Sequence, residues 1–305
     1  MLRDRTTDQR LHSVRTVLDR LYLDFDSQQD VTDPIQLVHR YSDPVDQEIV
    51  GFLASGLACG RVSSVLKSAE GLLSEMGRSP SSFVREFNLG RTNRRIRELR
   101  HRWVGGHDLL ALLAVLRHIL ETEGSIEQFF LRGYNREAED IGSALDSFCT
   151  RVRAVDLSLI YRDLTSPQGV WYFFPKPSAG SACKRLNLFL RWMVRCDHVD
   201  CGVWSRVDRS RLVIPLDTHI VRVSQCLRLT SYRTPGWRMA TEITKNLRRL
   251  DPSDPVKYDF SMCHLGMQNA CGFRRSQQDQ DCPLRGVCRP SYDKSKGSHQ
   301  SSFRR

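Results

Sequence analysis

The segment best suited to chemistry contains an aspartate at the start of a helix. Residues 215–229 read PLDTHIVRVSQCLRL. Pro215 favours an extended chain before the helix, and Asp217 and Thr218 occupy the helix N-cap. A carboxylate held in this way is a candidate catalytic group. The alternative is that Asp217 only caps the helix, a role that many aspartates fill.

A second candidate is Lys184, in the segment KPSAGSACKRLNLFLRWMVR at residues 176–195. The helical spacing of the apolar residues places Lys184 in the first turn of a helix; they are Leu186, Phe189, Leu190 and Met193. The positive end of the helix dipole favours the neutral amine that a nucleophile needs. The alternative is an ordinary basic residue that contacts phosphate or solvent.

Cysteines form the third candidate group, in the C-terminal string CHLGMQNACGFRRSQQDQDCPLRGVC. Cys271, Cys282 and Cys288 enclose a polar loop, residues 271–289, which has too few apolar residues to build a core. Thiolates spaced in this way suggest a bound metal or an iron–sulfur cluster. Cys263 is the candidate fourth ligand, although its helical spacing from Phe260, Met267 and Ala270 is also typical of a core residue.

The positive charge is concentrated in two segments and indicates a nucleic-acid partner. The formal net charge is +11; residues 85–102 carry seven Arg and two Glu, and residues 271–305 carry eight Lys or Arg and three Asp. Arginines that lie along a phosphate backbone neutralise its charge and release counterions, which favours binding. The alternative interpretation of residues 85–102 is a solvated, arginine-rich helix face. The candidate nucleic-acid contacts are Arg91, Arg94, Arg95, Arg97, Arg185, Arg191 and His219.

Helices must position these residues, because apolar side chains recur at helical spacing nearly everywhere. Gly105-Gly106 before Asp108 and Gly124 after the apolar run bound one such helix, and Ser125 begins the next. Only LVIPL at residues 212–216 resembles a strand, and its proline favours an extended linker. The predicted fold class is therefore all-α.

The organisation that we expect is one helical domain, residues 1–289, with two lobes. The lobes are approximately residues 30–170 and 171–270, with the N-terminal helix packing on the second lobe. The cysteine loop follows at residues 271–289. Residues 290–305 are rich in Ser, Lys and Arg without apolar periodicity, which predicts a disordered basic tail. The aromatic run at residues 171–174 is either core packing or a stacking surface for an extruded base.

Composition excludes several classes of protein. With 305 residues, 40% hydrophobic and 27% charged, the chain buries a real core and is neither a disordered solubiliser nor a disulfide-stapled miniprotein. No apolar run is long enough to cross a bilayer, and the N-terminus is too charged for a signal peptide. We therefore expect a cytoplasmic protein with reduced cysteines and no membrane partner, and of the oligomeric states we favour a monomer.

Together, the three segments resemble the helix-hairpin-helix DNA glycosylases of the endonuclease III type. A lysine-bearing helix is followed by LDTHIVRVS, and then by LGMQNACGF and CPLRGVC; this resemblance covers mainly residues 176–290. Residues 10–290, from DPIQLVHRY through EIVGFLASGLACGRV to DPVKYDF, resemble an uncharacterised bacterial family that is a distant branch of that superfamily.

The resemblance implies DNA repair by base excision on duplex DNA. Asp217 would stabilise the cationic sugar that develops as the N-glycosidic bond of a damaged base breaks, or would activate the attacking nucleophile. Lys184 would attack the sugar C1′ and form a Schiff base in a bifunctional enzyme. The matching cysteines, Cys271, Cys282 and Cys288, would hold a [4Fe-4S] cluster or another thiolate-bound metal.

Three departures from the glycosylase pattern favour an alternative, a non-catalytic nucleic-acid-binding protein on a degenerate scaffold. The hairpin LPGVG is replaced by FFPKPSAGSAC, which keeps only Gly180. Between Lys184 and Asp217 lie 32 residues, nearly twice the spacing that the family would lead one to expect. Asp281, and not a cysteine, precedes Cys282.

Overall fold

The computed structural model describes residues 2–26, 33–89, 94–161, 168–267 and 282–288, and these are mostly helical. Over that part of the chain the only sheet is a hairpin of two-residue strands, so the all-α prediction is confirmed. None of the helices described is both long and apolar enough to cross a membrane. Arg91, Cys271 and the predicted tail at 290–305 lie outside the described residues.

The chain forms two compact units. The central unit is Asp30–Pro215, and the terminal unit combines Met1–Gln29 with Leu216–Arg305. The sequence placed a lobe boundary near residue 170, whereas the compact units divide after Pro215. Residues 212–216, at this division, are extended and belong to no strand, as Pro215 predicted.

Short helices make up the central unit. They are α2 (Pro44–Gly56), α3 (Val62–Met76), α4 (Pro80–Arg85), α5 (Arg94–Glu98), α6 (Gly106–Glu123), α7 (Ile126–Leu131), α8 (Gly142–Val152), α9 (Gln168–Trp171) and α10 (Lys184–Val194). Strands β1 (Arg100–His101) and β2 (Val104–Gly105) lie between α5 and α6, and 3-10 helices span Pro34–Arg40, Pro177–Ala179 and Arg209–Arg211.

Capping residues and glycines in the sequence predict both ends of α6 and the start of α7. The Asp108 carboxylate accepts a hydrogen bond from the Gly105 amide at 2.8 Å and closes the first turn of α6. Gly124 ends α6 at φ 81°, in the left-handed region that favours glycine. Ser125 then caps α7 by accepting from the Gln128 amide at 3.1 Å.

The core of the central unit is built on close packing between α2 and α10. A β-carbon on Gly51 would lie 2.9 Å from the Met193 terminal methyl, and one on Gly56 would lie 2.7 Å from the Phe173 ring. Both distances are shorter than van der Waals contact, so a larger residue would push the neighbouring side chain away. Gly51 therefore sets how closely the last turn of α10 approaches the middle of α2, and Gly56 sets how closely the aromatic run approaches the end of α2.

A buried carboxylate ties α2 to the elements around it. Glu48 is 3% exposed and accepts hydrogen bonds from the Ile126 amide at 2.7 Å, the Glu127 amide at 3.0 Å and the Trp204 indole at 2.7 Å. Burial raises the pKa of Glu48 to about 7, although the three N–H donors favour the charged form. One side chain thus joins α2, the first turn of α7 and the chain beyond α10.

The terminal unit consists of α1 (Leu2–Asp26), α11 (Thr218–Cys226), α12 (Trp237–Arg248) and α13 (Asp259–Met267). Helix α13 packs against both α1 and α11. A β-carbon on Gly266 would lie 2.7 Å from the His219 β-carbon, so this glycine allows α11 and α13 to approach closely. The N-terminal helix thus belongs with the later helices.

Replacing Glu48 with Gln will flatten the pH dependence of stability. An unfolded glutamate has a pKa of about 4.3, so the native state, with its raised pKa, binds this proton more readily than the unfolded chain. Its contribution is fully present at low pH and is lost as the pH rises from about 4.3 through about 7, by a total of about 4 kcal/mol.

Urea unfolding between pH 5 and pH 8 measures this effect. The fall in unfolding free energy with rising pH should be smaller in Glu48→Gln than in the parent protein. The control is Glu139→Gln, at an exposed position. An equal pH dependence in all three proteins would contradict the assignment.

Candidate functional site

The hairpin before α6 presents an arginine and a tryptophan at its tip. Arg100 pairs with Gly105 and His101 pairs with Val104, which leaves Arg102 and Trp103 as the two-residue loop. Arg102 has a φ of 56°, where glycine is usual in such a turn, and the Trp103 side chain is 57% exposed. A strained residue beside an exposed indole is typical of a functional surface.

The same hairpin tip meets the aromatic run. The Trp103 and Tyr172 rings contact edge to face, with centroids 5.1 Å apart. The Arg102 guanidinium lies 5.0 Å from the Trp103 centroid, and the Arg185 guanidinium lies 3.1 Å from the Tyr172 centroid. We call these four residues, Arg102, Trp103, Tyr172 and Arg185, the Trp103 surface.

Two cationic side chains contact the turn that follows α2, at Ala58 and Cys59. The Lys184 ammonium donates to the Ala58 carbonyl at 3.2 Å, and the Arg102 guanidinium donates to the Cys59 sulfur at 3.3 Å. The last carbonyls of a helix carry partial negative charge and attract cations. This turn therefore holds Lys184 and Arg102 in place.

Arg185, a predicted nucleic-acid contact, is half-buried within the Trp103 surface. It donates to the Tyr172 carbonyl while its guanidinium lies over the ring of that residue. Burial lowers the pKa of Arg185 to about 10, so the side chain remains cationic at neutral pH. The surface therefore keeps a positive charge that is fixed by aromatic contact.

Three arginines of the arginine-rich segment lie on α5 and are exposed. Arg94, 90% exposed, pairs with Glu98 at 2.9 Å, and Arg95, 79% exposed, pairs with Glu75 at 3.2 Å. Arg97 is also exposed. The Arg94–Glu98 pair is exposed on both sides and therefore weak, so a phosphate can displace the Glu98 carboxylate at little cost. The Glu75 side chain is only 8% exposed, so its pair with Arg95 is not a fully exposed one.

Arg191 does not lie on this surface. Its side chain is 3% exposed, and its guanidinium pairs with the fully buried Asp200 carboxylate at 3.1 Å. Arg195 pairs with the same carboxylate. The predicted nucleic-acid contact by Arg191 is therefore corrected: the residue stabilises the interior of the central unit.

Asp217, the first candidate catalytic residue, is the N-cap of α11, as the sequence predicted. One carboxylate oxygen accepts from the Ile220 amide at 2.7 Å, and the other lies 3.2 Å from the Cys263 sulfur, whose thiol donates to it. Two contacts fix the carboxylate orientation, and the residue as a whole is half-buried. Lys184, at the first position of α10, belongs to the other compact unit.

His219, in the first turn of α11, packs against Gly266 and is half-buried. Its Nδ1 atom is buried and has no hydrogen-bond partner among the residues that the structure describes. This nitrogen therefore faces the protein interior of the terminal unit, which leaves Nε2 as the ring nitrogen for an outside contact.

The structure describes three of the four candidate cysteine ligands. Cys282 is buried and Cys288 half-buried on a short turn, in which the Cys288 amide donates to the Leu284 carbonyl at 3.0 Å. Cys263, the predicted fourth ligand, directs its sulfur to Asp217. Across the described ranges, no three Cys, His, Asp or Glu side chains are grouped to hold a metal ion.

Comparison with known proteins identifies the family. Residues 33–268 match a family described as protein of unknown function, DUF2400. The chain belongs to this family. No curated protein matches it. No solved structure matches it either. The DUF2400 match spans most of the central unit and continues through α13, so it includes Lys184, Asp217 and the Trp103 surface.

The sequence shows the aromatic run but does not indicate its contact with Trp103. The hairpin carries no Asn-Gly or Asp-Gly signal, and its strands have two residues each. Arg102 was counted only as charge. The available signal was the Gly105-Gly106 pair directly after the Arg-rich segment, which required the chain to turn before α6.

Replacing Asp217 with Ala will lower the unfolding free energy by about 1 kcal/mol, because α11 loses its N-cap. Asp217→Asn will cost less, since the amide oxygen still accepts from the Ile220 amide. Urea unfolding measures both variants. If Asn destabilises as much as Ala, the charge and not the cap is what the fold requires.

Proposed function

We propose that this protein binds nucleic acid, with duplex DNA as the partner, through the Trp103 surface. The observation that carries the proposal is an exposed indole at a strained hairpin tip, flanked by two arginines that are held against aromatic rings. Stacking on aromatic side chains and cationic contacts to phosphate are the two interactions that nucleic-acid surfaces combine.

Charge around the surface supports the same partner. The exposed arginines of α5 precede the hairpin directly in the chain, and Lys184 lies beside Arg185 in the first turn of α10. A duplex presents one negative charge for about every 1.7 Å of its axis, so several cations from neighbouring elements act together. The net charge of +11 agrees with such a partner.

The reaction that we propose is hydrolysis of the N-glycosidic bond of a damaged base, on a scaffold that resembles the helix-hairpin-helix glycosylases. The oxygen of a water molecule adds to the sugar C1′, and the base leaves with the electrons of the broken bond. Asp217 takes the proton from the water or stabilises the cationic sugar. Its carboxylate is held in one orientation at the start of α11, and the Cys263 thiol must leave it before the free oxygen can act on water.

Lys184 is the proposed nucleophile of a second, strand-cleaving step. After the base has left and the sugar ring has opened, its amine adds to the C1′ aldehyde and water leaves, which gives a Schiff base. The 3′ phosphate is then eliminated, which breaks the strand. In the structure the Lys184 ammonium is held by the Ala58 carbonyl, so the amine must leave that contact to react.

A second candidate function is binding without catalysis, and the contacts of Asp217 favour it. Both carboxylate oxygens already accept hydrogen bonds, from the Ile220 amide and the Cys263 thiol. A residue engaged in this way serves as a helix cap without further chemistry. The two candidates share the Trp103 surface and differ only in turnover.

A cluster or another metal held by Cys271, Cys282 and Cys288 stays a prediction. The contact between Cys263 and Asp217 places the predicted fourth ligand beside the candidate catalytic carboxylate. Iron and zinc analysis of the anaerobically purified protein tests this site, and a protein free of both metals would refute it.

Replacing Trp103 with Ala will weaken binding to duplex DNA by about 1 to 3 kcal/mol, which corresponds to roughly 5-fold to 150-fold in Kd. Arg102→Gly will also weaken binding while preserving the fold, because glycine suits the left-handed conformation at this position. Fluorescence anisotropy at several salt concentrations measures both effects.

The matched controls are Tyr232→Ala and Arg233→Gly, an adjacent and exposed aromatic–arginine pair in a loop of the terminal unit. These two variants should bind within twofold of the parent protein. Equal losses at both pairs, or no loss at either, would contradict the assignment of the Trp103 surface.

Asp217→Asn will abolish base release from lesion-bearing duplexes and retain binding. The amide keeps the cap of α11 but cannot take a proton from water. Base release is measured together with borohydride trapping, in which Lys184→Ala should yield no covalent adduct. If the parent protein releases no base and traps no adduct across a broad lesion panel, the non-catalytic candidate stands.

A further inference from the structure

Two cysteines beyond the end of α10 face each other across a tight loop. Cys196 and Cys201 form an isolated antiparallel bridge, closed by a hydrogen bond from the Asp197 amide to the Asp200 carbonyl. The Cys201 amide donates to the Trp192 carbonyl and not to Cys196. In a pair of this type the α-carbons lie about 4.5 Å apart, within the range that a disulfide spans.

The chain around the pair is already ordered. Arg195 is buried and pairs with the Asp197 carboxylate at 2.8 Å. The other Asp197 oxygen accepts from the Val199 amide at 2.9 Å and the Asp200 amide at 2.7 Å. Since these contacts hold the loop in its bridged shape, bond formation between the two sulfurs requires little further ordering.

Gly202 shows how tightly the chain closes on Cys196. It has a φ of 64°, and a β-carbon there would lie 2.4 Å from the Cys196 β-carbon. Only glycine fits this approach without strain. The backbone therefore brings the two cysteines together independently of any bond between them.

His39 is placed to take the Cys201 proton. Its Nε2 atom lies 2.8 Å from the Val199 carbonyl, which only accepts, so Nε2 carries the hydrogen of the neutral ring. Nδ1 is then an acceptor, and it lies 3.8 Å from the Cys201 sulfur.

The two thiols differ in access. Cys196 is exposed and open to an oxidant, whereas Cys201 is half-buried. Burial, with Asp200 and Cys196 nearby, raises the pKa of Cys201 to about 12, so its thiolate is scarce without a base. These properties assign Cys196 as the thiol that reacts first and Cys201 as the one that resolves the product.

We propose that Cys196 and Cys201 form a reversible disulfide when the protein reacts with hydrogen peroxide. The Cys196 thiolate attacks a peroxide oxygen, the O–O bond breaks, and Cys196 sulfenic acid and water form. The Cys201 sulfur then attacks the Cys196 sulfur, passes its proton to His39, and the hydroxyl leaves as a second water. Two thiols lose two electrons, and the peroxide is reduced to two waters.

The bond would fasten the chain that follows α10, the helix whose first turn carries Lys184 and Arg185. Disulfides at exposed positions are the labile ones that respond to the redox state of the surroundings. The site is independent of the proposed nucleic-acid binding, and it uses none of the residues of the Trp103 surface.

Peptide mapping of the full-length protein tests the proposal directly. Trypsin cleaves after Arg195 and Arg206, which releases both cysteines in one peptide with no other cysteine, CDHVDCGVWSR. The protein is treated with hydrogen peroxide and then unfolded in the presence of an alkylating agent. After digestion, the masses of the peptides are measured by mass spectrometry. The expected product is a peptide without alkyl groups and lighter by two hydrogens, which thioredoxin returns to the doubly alkylated form.

Cys149 and Cys183 provide the matched control. Both sulfurs lie within hydrogen-bond distance of the Pro175 carbonyl, at 3.4 and 3.3 Å, and both residues are buried, so they should remain alkylatable. His39→Ala should slow disulfide formation at least about tenfold without changing its final extent. An unchanged rate would overturn the role of His39. A peptide that stays doubly alkylated, or that carries an oxidised Cys196 beside an alkylated Cys201, would overturn the site.

Discussion

Close packing between α2 and α10 is the constraint on which the rest of the central unit depends. Gly51 and Gly56 remove the β-carbons that would hold Met193 and Phe173 away from α2. The start of α10 then lies against the turn at Ala58, where Lys184 finds a helix-end carbonyl. This packing helps to position two members of the Trp103 surface, because Tyr172 precedes Phe173 in the chain and Arg185 follows Lys184.

Charge in the central unit is divided between the interior and the surface. Arg191 and Arg195 share the buried Asp200 carboxylate, and burial raises the pKa of that carboxyl to about 6 even beside two guanidinium groups. By contrast, Arg102 is exposed beside the Trp103 ring and its charge is available, whereas Arg185 is half-buried against the Tyr172 ring. The number of arginines in the sequence therefore overstates the positive charge that is accessible to a nucleic acid.

Sequence patterns predicted the elements well where the signal was local. The cap at Asp217, the first turn at Lys184 and the ends of α6 depend on neighbours within a few residues, and all were confirmed. Arg191 was misassigned because a helical pattern shows which residues share an edge but not what covers that edge. Its partner, Asp200, arrives only when the chain folds back after α10.

The contact between Trp103 and Tyr172, which lie 69 positions apart in the chain, could not be predicted for the same reason. The Gly105-Gly106 pair indicates that the chain turns before α6, but short strands and a tip without glycine give no signal for which residues form the hairpin tip. The cysteine pair at 196 and 201 is a similar case, since its geometry depends on Asp197 and Arg195 and not on the cysteine spacing.

Photo-crosslinking tests the central claim, that nucleic acid lies on the Trp103 surface. A duplex carrying 5-iodouracil is irradiated with the full-length protein, and the crosslinked tryptic peptides are identified by mass spectrometry. Crosslinks are expected in two tryptic peptides, the one that begins at Trp103 after cleavage at Arg102 and the one that contains Tyr172, or in either of them. Crosslinks confined to peptides of the terminal unit, with none at these two residues, would contradict this claim.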